Sequence, residues 1–201
     1  MKRVVKIRIL VIHTAFIGDI VLSTPLLRKI KDVYPNSDIT YVTTPAGAAI
    51  LRNNPNISEI IEYDKRGKHK GILGIYQLGK RLKYENFNIV ITPHRYMRSS
   101  ILSWLTGSPV RKGYKNADLS FLYTEKIEYD KKKHEVEKLL SFISKDTDKR
   151  YEIELERVED YRPMTREEIA APVTASAPIV AAPAACLLYT SPSPRDGLLS
   201  R

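Results

Sequence analysis

With 201 residues, 43% of them hydrophobic and 28% charged, the chain has the composition of a soluble globular protein and enough length to bury one sizeable core. Its formal charge of +10 asks for an anionic partner, such as nucleic acid, a phosphorylated lipid surface or a nucleotide, without choosing among them. No window reaches the roughly 18 apolar residues of a membrane span, and Ile7 to Ile12 is too short for a signal-peptide core, so a cytoplasmic protein is expected. A single cysteine, Cys186, excludes an internal disulfide and a thiolate metal cluster.

Val4 to His13 is β-branched and apolar without helical spacing, as in a buried parallel strand. A tight turn at Ile17-Gly18-Asp19 follows. Leu22, Leu26, Leu27, Ile30 and Val33 then predict one helix that stops before Tyr34-Pro35-Asn36, with Pro25 in its first turns. Ile39 to Thr44 predicts a second strand, Gly47 to Arg52 a short helix, and Ile57 to Tyr63 a third strand. Ile72 to Tyr84 carries an apolar stripe, Asn88 to Thr92 is a short buried strand ending at Pro93, and Ser99 to Leu105 is a helix closed by Thr106-Gly107-Ser108-Pro109. Val110 to Tyr114 predicts one more strand and His134 to Ser144 a last helix. Alternating strands and helices with short links predict an α/β fold, Rossmann-like and doubly wound, with a mainly parallel sheet and a ligand crevice at the carboxyl ends of the strands.

The texture changes near Asp160. Ala170 to Ala185 has the composition of a linker, and Cys186 to Arg201 reads as the conceptual translation of a transposon-type sequencing adapter, so it is set aside from the fold. The expected organisation is a first domain over residues 1–160, a linker and the start of a second domain over 161–185, and an adapter-derived tail over 186–201.

The sharpest motif is Thr14-Ala-Phe-Ile-Gly-Asp-Ile-Val-Leu-Ser-Thr-Pro25, between the first strand and the first helix. Gly18 is expected to allow a tight turn, and Asp19 to arrive in the crevice at a helix N-terminus, where its carboxylate can take a proton from a sugar hydroxyl. The plainer reading makes Asp19 only an N-cap. The segment lacks the G-x-G-x-x-G of a dinucleotide binder, which argues against a non-catalytic nucleotide-binding domain.

Ile17-Gly-Asp-Ile-Val-Leu-Ser-Thr-Pro-Leu-Leu-Arg-Lys-Ile-Lys with Tyr34-Pro35, Pro93-His-Arg-Tyr-Met-Arg-Ser-Ser-Ile-Leu, Gly107-Ser-Pro-Val-Arg-Lys-Gly-Tyr114 and Ser120-Phe-Leu-Tyr-Thr124 stand in the order and spacing of a known family. From about Arg8 to Glu156 the chain resembles the lipopolysaccharide heptosyltransferases, glycosyltransferase family 9. The resemblance implies the N-terminal half of a GT-B glycosyltransferase. Such enzymes transfer heptose from ADP-L-glycero-D-manno-heptose to the inner core on Kdo-lipid A, with inversion and without a metal or other cofactor. It implies that Asp19 is the general base, that Thr14 and Gly18 shape its turn, and that His94, Arg95 and Arg98 bind the acceptor through phosphate or Kdo carboxylate groups. Arginine suits that work because its planar fork holds an anion with two hydrogen bonds. His94 also has a plain reading as a strand-end cap, Arg98 as the partner of a nearby carboxylate, and Ser99 and Ser100 as helix caps. A family relative with a different sugar or acceptor fits the same motifs.

Lys65, Arg66, Lys68, Lys70, Lys80, Arg81 and Lys83 form a basic run that reads either as a solvated face or as a contact with an anionic inner-membrane surface. It lacks the aromatic ladder of a nucleic-acid binder. The residues by which relatives bind the donor's adenine, ribose and diphosphate are absent, so the resemblance implies a truncated protein, inactive alone.

Overall fold

The computed structural model describes residues 6–143, apart from 66 and 68. All belong to one compact unit. The expected linker over 161–185 and the tail over 186–201 lie outside the described residues, as does the end of the expected first domain. Six strands form one parallel sheet: β1 (Ile7–Ile12), β2 (Ser37–Thr43), β3 (Glu59–Glu62), β4 (Ile89–Thr92), β5 (Val110–Tyr114) and β6 (Glu125–Ile127), in the order β3-β2-β1-β4-β5-β6. The helices are α1 (Ile17–Leu22), α2 (Thr24–Val33), α3 (Pro45–Leu51), α4 (Gly71–Tyr84), α5 (Met97–Leu105) and α6 (Glu135–Leu140). Among the described residues no helix is long and apolar enough to cross a membrane.

The apolar run in β1 has the cause expected of a central parallel strand: both faces are covered. Ile9 and Val11 pack toward Leu26, Leu27 and Ile30 of α2, whereas Leu10 and Ile12 pack toward Ile75, Leu78 and Leu82 of α4 and Leu102 of α5. Register aligns Tyr41, Val11 and Ile91 across three strands, so one row of side chains spans the first core. Each of the four β1 residues from Ile9 to Ile12 is fully buried, worth about 2 kcal/mol apiece in transfer from water.

Three sequence expectations change. The helix expected to run unbroken from Leu22 to Val33 is divided at Ser23. Pro25 has no N–H to give to Val21, and the Thr24 hydroxyl donates to that carbonyl instead, at 2.9 Å. Ser23 closes α1 with a hydroxyl that donates to Ile20 O at 2.6 Å. The expected tight turn at Ile17-Gly18-Asp19 is therefore the first turn of α1. Finally, β6 and a 3-10 turn at Ser120–Leu122 were not expected; β6 has only three residues, two exposed, and carries no periodic signal.

Candidate functional site

In this strand order the sheet changes direction of winding between β1 and β4, and the loops leaving those two neighbours part at their carboxyl ends. The fork opens into a cleft of about 1330 Å³, larger than a typical small-molecule pocket and roomy enough for an extended ligand. Thr14, Asp19, His94, Arg95 and Arg98 all line it, together with His13, Tyr63 and Lys65.

The chain peels away from β1 after His13, whose N–H still donates to Val42 O at 2.9 Å. Thr14 is buried, and Lys65 Nζ donates to its carbonyl at 3.3 Å. Phe16, not Asp19, occupies the N-cap of α1, so the plain capping reading of Asp19 falls. Asp19 stands in the first helical turn, exposed to the cleft, where the backbone N–H groups favour negative charge. Gly18 also differs from expectation: it is helical, without a left-handed φ, and a Cβ there would meet nothing within 4 Å. What its missing side chain provides is open space beside Asp19.

On the other wall, Pro93 and His94 leave β4. His94 Nδ1 lies 3.0 Å from Ser99 Oγ and 3.4 Å from Thr14 Oγ1, bridging the two loops. Its ring tilts against Tyr96 at 4.5 Å. Burial, then the charges of Lys65 and Arg95, pull the His94 pKa down to about 4, so the ring is neutral near pH 7. Ser99 therefore serves His94, and Ser100, whose hydroxyl donates to Asp118 O at 2.5 Å, braces the loop behind; neither is the N-cap of α5, which is Tyr96.

The guanidinium carbon of Arg95 stands 4.4 Å from the centroid of the Tyr129 ring, so the planar group is stacked on that ring at the cleft with its N–H edge available. Arg98 is exposed in the first turn of α5. Its positive charge reaches the Tyr63 hydroxyl, a group that burial otherwise pushes up and that has no hydrogen-bond partner. The ion pairs among the described residues engage other cations, Lys6 with Asp38, Arg8 with Glu85, Arg81 with Glu59, Lys112 with Glu125, Lys115 with Glu128 and Lys138 with Glu135, so the expected alternative of a carboxylate partner for Arg98 is not found there. Among the described residues no cluster of three or more His, Cys, Asp or Glu side chains is placed to hold a metal ion.

The cleft thus offers four carboxylates, Asp19 beside Asp64, Asp118 and Glu135, of which the last three are engaged by Gly67 N, Met97 N and Lys138, together with two guanidinium groups, the Lys65 ammonium and several hydroxyls, a set suited to a polyol that carries anionic groups. His13, Tyr63 and Asp118 were missed in sequence because each lies outside the motifs, His13 immediately before Thr14 and Asp118 between Tyr114 and Ser120, and owes its place at the cleft to pairings across the fold.

The family model described as glycosyltransferase family 9 (heptosyltransferase) matches residues 75–186, more than half of the chain, a range that includes His94, Arg95 and Arg98 and begins after Asp19. The chain is similar to the lipopolysaccharide core heptosyltransferase OpsX of Haemophilus influenzae, 28% identical over 93 residues, covering 46% of this chain and 26% of that protein. It is also similar to lipooligosaccharide heptosyltransferase 2 of Haemophilus ducreyi, 25% identical over 126 residues, covering 61% of this chain and 36% of that one. Among solved structures, the glycosyl transferase family 9 protein of Veillonella parvula superposes with a TM-score of 0.61 at 29% identity, over 67% of this chain and 40% of that one. The chain spans about a quarter to a third of the length of these curated relatives.

Proposed function

Because the chain belongs to glycosyltransferase family 9, the heptosyltransferases, we propose that it forms the acceptor side of an inverting transferase of lipopolysaccharide core assembly. In this reading heptose passes from ADP-L-glycero-D-manno-heptose to the inner core on Kdo-lipid A. Asp19 takes the proton of the attacking acceptor hydroxyl, while Arg95 and Arg98 hold phosphate or carboxylate groups of the acceptor and His94 ties their loop to Thr14. Gly18 keeps the space next to the base open. The observation that carries the reading is the exposed Asp19 carboxylate on one wall of the fork, facing a cleft whose other wall presents the Arg95 and Arg98 guanidinium groups, neither with a carboxylate partner among the described residues.

A base must reach the proton that it takes, and an exposed carboxylate in a first helical turn meets that requirement. The leaving ADP and its binding residues belong to a second domain, whose start is assigned to residues 161–185, after an acceptor domain of 1–160 and before the adapter-derived 186–201. The basic charge supports a cytoplasmic protein that rests against the anionic inner face of the inner membrane, each Lys or Arg near such a leaflet contributing about 1 kcal/mol.

The test is Asp19→Ala in the complete gene product, assayed for heptose transfer to Kdo-lipid A. Loss of the base lowers kcat by about 10²- to 10⁴-fold with ADP-heptose binding nearly unchanged. Wild-type turnover in the variant removes Asp19 from the mechanism. Transfer of a different sugar by the wild-type protein, with the same dependence on Asp19, moves the reading to another member of the family.

A further inference from the structure

One buried histidine on the cleft has no part in the account above. His13 is 3% exposed and lines the cleft where β1 ends. Its Nδ1 lies 3.1 Å from the Tyr41 hydroxyl, which lies 2.7 Å from Ser23 Oγ, which in turn donates to Ile20 O at 2.6 Å. The direction of this chain follows from its last member. A carbonyl only accepts, so the single proton of Ser23 is committed to Ile20. Tyr41 must then donate to Ser23, which spends the single phenolic proton. Nothing is left for Tyr41 to give to His13, so His13 Nδ1 carries a proton and donates it to Tyr41.

The chain therefore fixes the tautomer. Burial, and then the charge of His94, pull the His13 pKa down to about 3, so the ring stays neutral and Nε2 keeps a bare lone pair. Among the described residues no donor meets Nε2. Nε2 is also not among the fully buried side-chain atoms that lack a partner, so it opens to the cleft that His13 lines, where a ligand hydroxyl can reach it.

We propose that His13 Nε2 accepts a hydrogen bond from an uncharged hydroxyl of the bound sugar, which makes the floor of the cleft selective for neutral polyol and leaves anionic groups to Arg95 and Arg98 on the rim. A neutral ring with an outward lone pair repels a carboxylate or a fully ionised phosphate oxygen, which brings only lone pairs. The chain ends on Ile20, the residue after Asp19, so the same four groups that set the tautomer also anchor the helix carrying the base. The inference rests on the cleft being the acceptor site, and its first test does not.

That test is ¹⁵N NMR of the 201-residue chain labelled at histidine. His13 should give the signature of a neutral Nδ1–H tautomer near neutral pH, and Tyr41→Phe should shift it toward Nε2–H, the form that free imidazole favours. A cationic His13, or Nε2–H in the unsubstituted protein, overturns the inference and leaves the role of Asp19 untouched. Titration then follows with a neutral methyl manno-heptoside and, separately, with inorganic sulfate, which carries no proton at neutral pH. The glycoside should move the His13 Nε2 resonance and sulfate should not. His13→Asn, which retains a donor toward Tyr41 and loses the atom at the cleft, should weaken glycoside binding by about fivefold, read from the amide shifts of Ala15 to Asp19. His13→Gln, which returns an acceptor oxygen near the Nε2 position, should recover part of it. A glycoside that moves those amides but not Nε2, or sulfate that moves Nε2, overturns the inference alone. A glycoside that moves no cleft resonance counts against the acceptor-site reading and against this inference with it.

Discussion

The Oδ2 atom of Asp118 accepts the backbone N–H of Met97 at 3.2 Å, capping α5 from a loop 21 residues further along the chain. The same loop returns its backbone to the motif, since Asp118 N donates to Arg95 O at 2.8 Å and Asp118 O accepts from Ser100 Oγ. One residue thus fixes the start of the helix on which Arg98 stands and the loop from which Arg95 projects. Asp118→Ala should cost about 1 kcal/mol, the usual value of a lost cap. Urea denaturation measures it, and amide shifts confined to Arg95 through Ser99 would show where the loss is felt.

Lys112 and Glu125 form a pair of unequal burial. The lysine side chain in β5 is 9% exposed and the glutamate in β6 is 49% exposed, with 2.9 Å between Nζ and Oε2. Removing the glutamate strands a buried cation, whereas replacing the lysine by an apolar chain of similar volume strands only a carboxylate that water can reach. Glu125→Leu should therefore destabilise by about 1–3 kcal/mol and Lys112→Met by less. Equal losses in denaturation would mean that the pair acts only as a surface contact.

Gly113 has the ring of Tyr123 where a Cβ would sit, with Tyr123 Cε2 at 2.3 Å from that point. Tyr123 cannot retreat freely, because its hydroxyl lies 2.9 Å from Ser100 Oγ. Gly113→Ala should cost about 1–3 kcal/mol by overpacking, and the double variant with Tyr123→Leu should recover part of it. Thermal or urea denaturation of the two variants decides the point.

Acid should weaken the fold earlier than its carboxylates alone would. His13 and His94 have pKa values pulled to about 3 and about 4, below the ordinary value of 6.5 that the unfolded chain keeps. The unfolded chain therefore takes up these protons first. The stability involved is complete above about pH 6.5, falls as pH drops at about 1.4 kcal/mol per pH unit for each ring, and stops falling once the folded values are passed. Denaturation midpoints between about pH 7 and pH 5 should show this slope, flattened in a variant with His13→Asn and His94→Asn together.

Much of the architecture was legible in the sequence because central parallel strands advertise themselves. Ile9 to Ile12 and Ile89 to Ile91 are apolar on both faces, and the helices between them carry clear stripes. The division of the first helix was not legible as a break. Pro25 alone is compatible with a helix start or a helix interruption, and the decision falls to Ser23 and Thr24, whose hydroxyls satisfy the carbonyls that the break exposes. At the site, Asp19, His94, Arg95 and Arg98 were singled out through motifs, and the fold brings all four to one cleft. His13 was counted as the last residue of a strand, since nothing local distinguishes a core histidine from one wired to a tyrosine 28 positions away. Tyr63 and Asp118 were invisible for the same reason: their roles depend on pairings across the sheet and between loops.

The bridge between Thr14 and His94 spans 80 positions of sequence. Its two ends are neighbours only because β4 inserts beside β1 after the chain has already laid down β2 and β3 on the other edge. No hairpin or local turn can draw those walls together early, so the fork should assemble late during folding, once the long β3–α4–β4 excursion closes. A cut in the stretch between Asp64 and Gly71 would leave its halves on separate pieces, reunited only by reassociation of the sheet. In a refolding reaction, protection of the Asn88 amide, which donates to Arg8 O where β4 meets β1, would then rise after that of α2 and become sensitive to protein concentration.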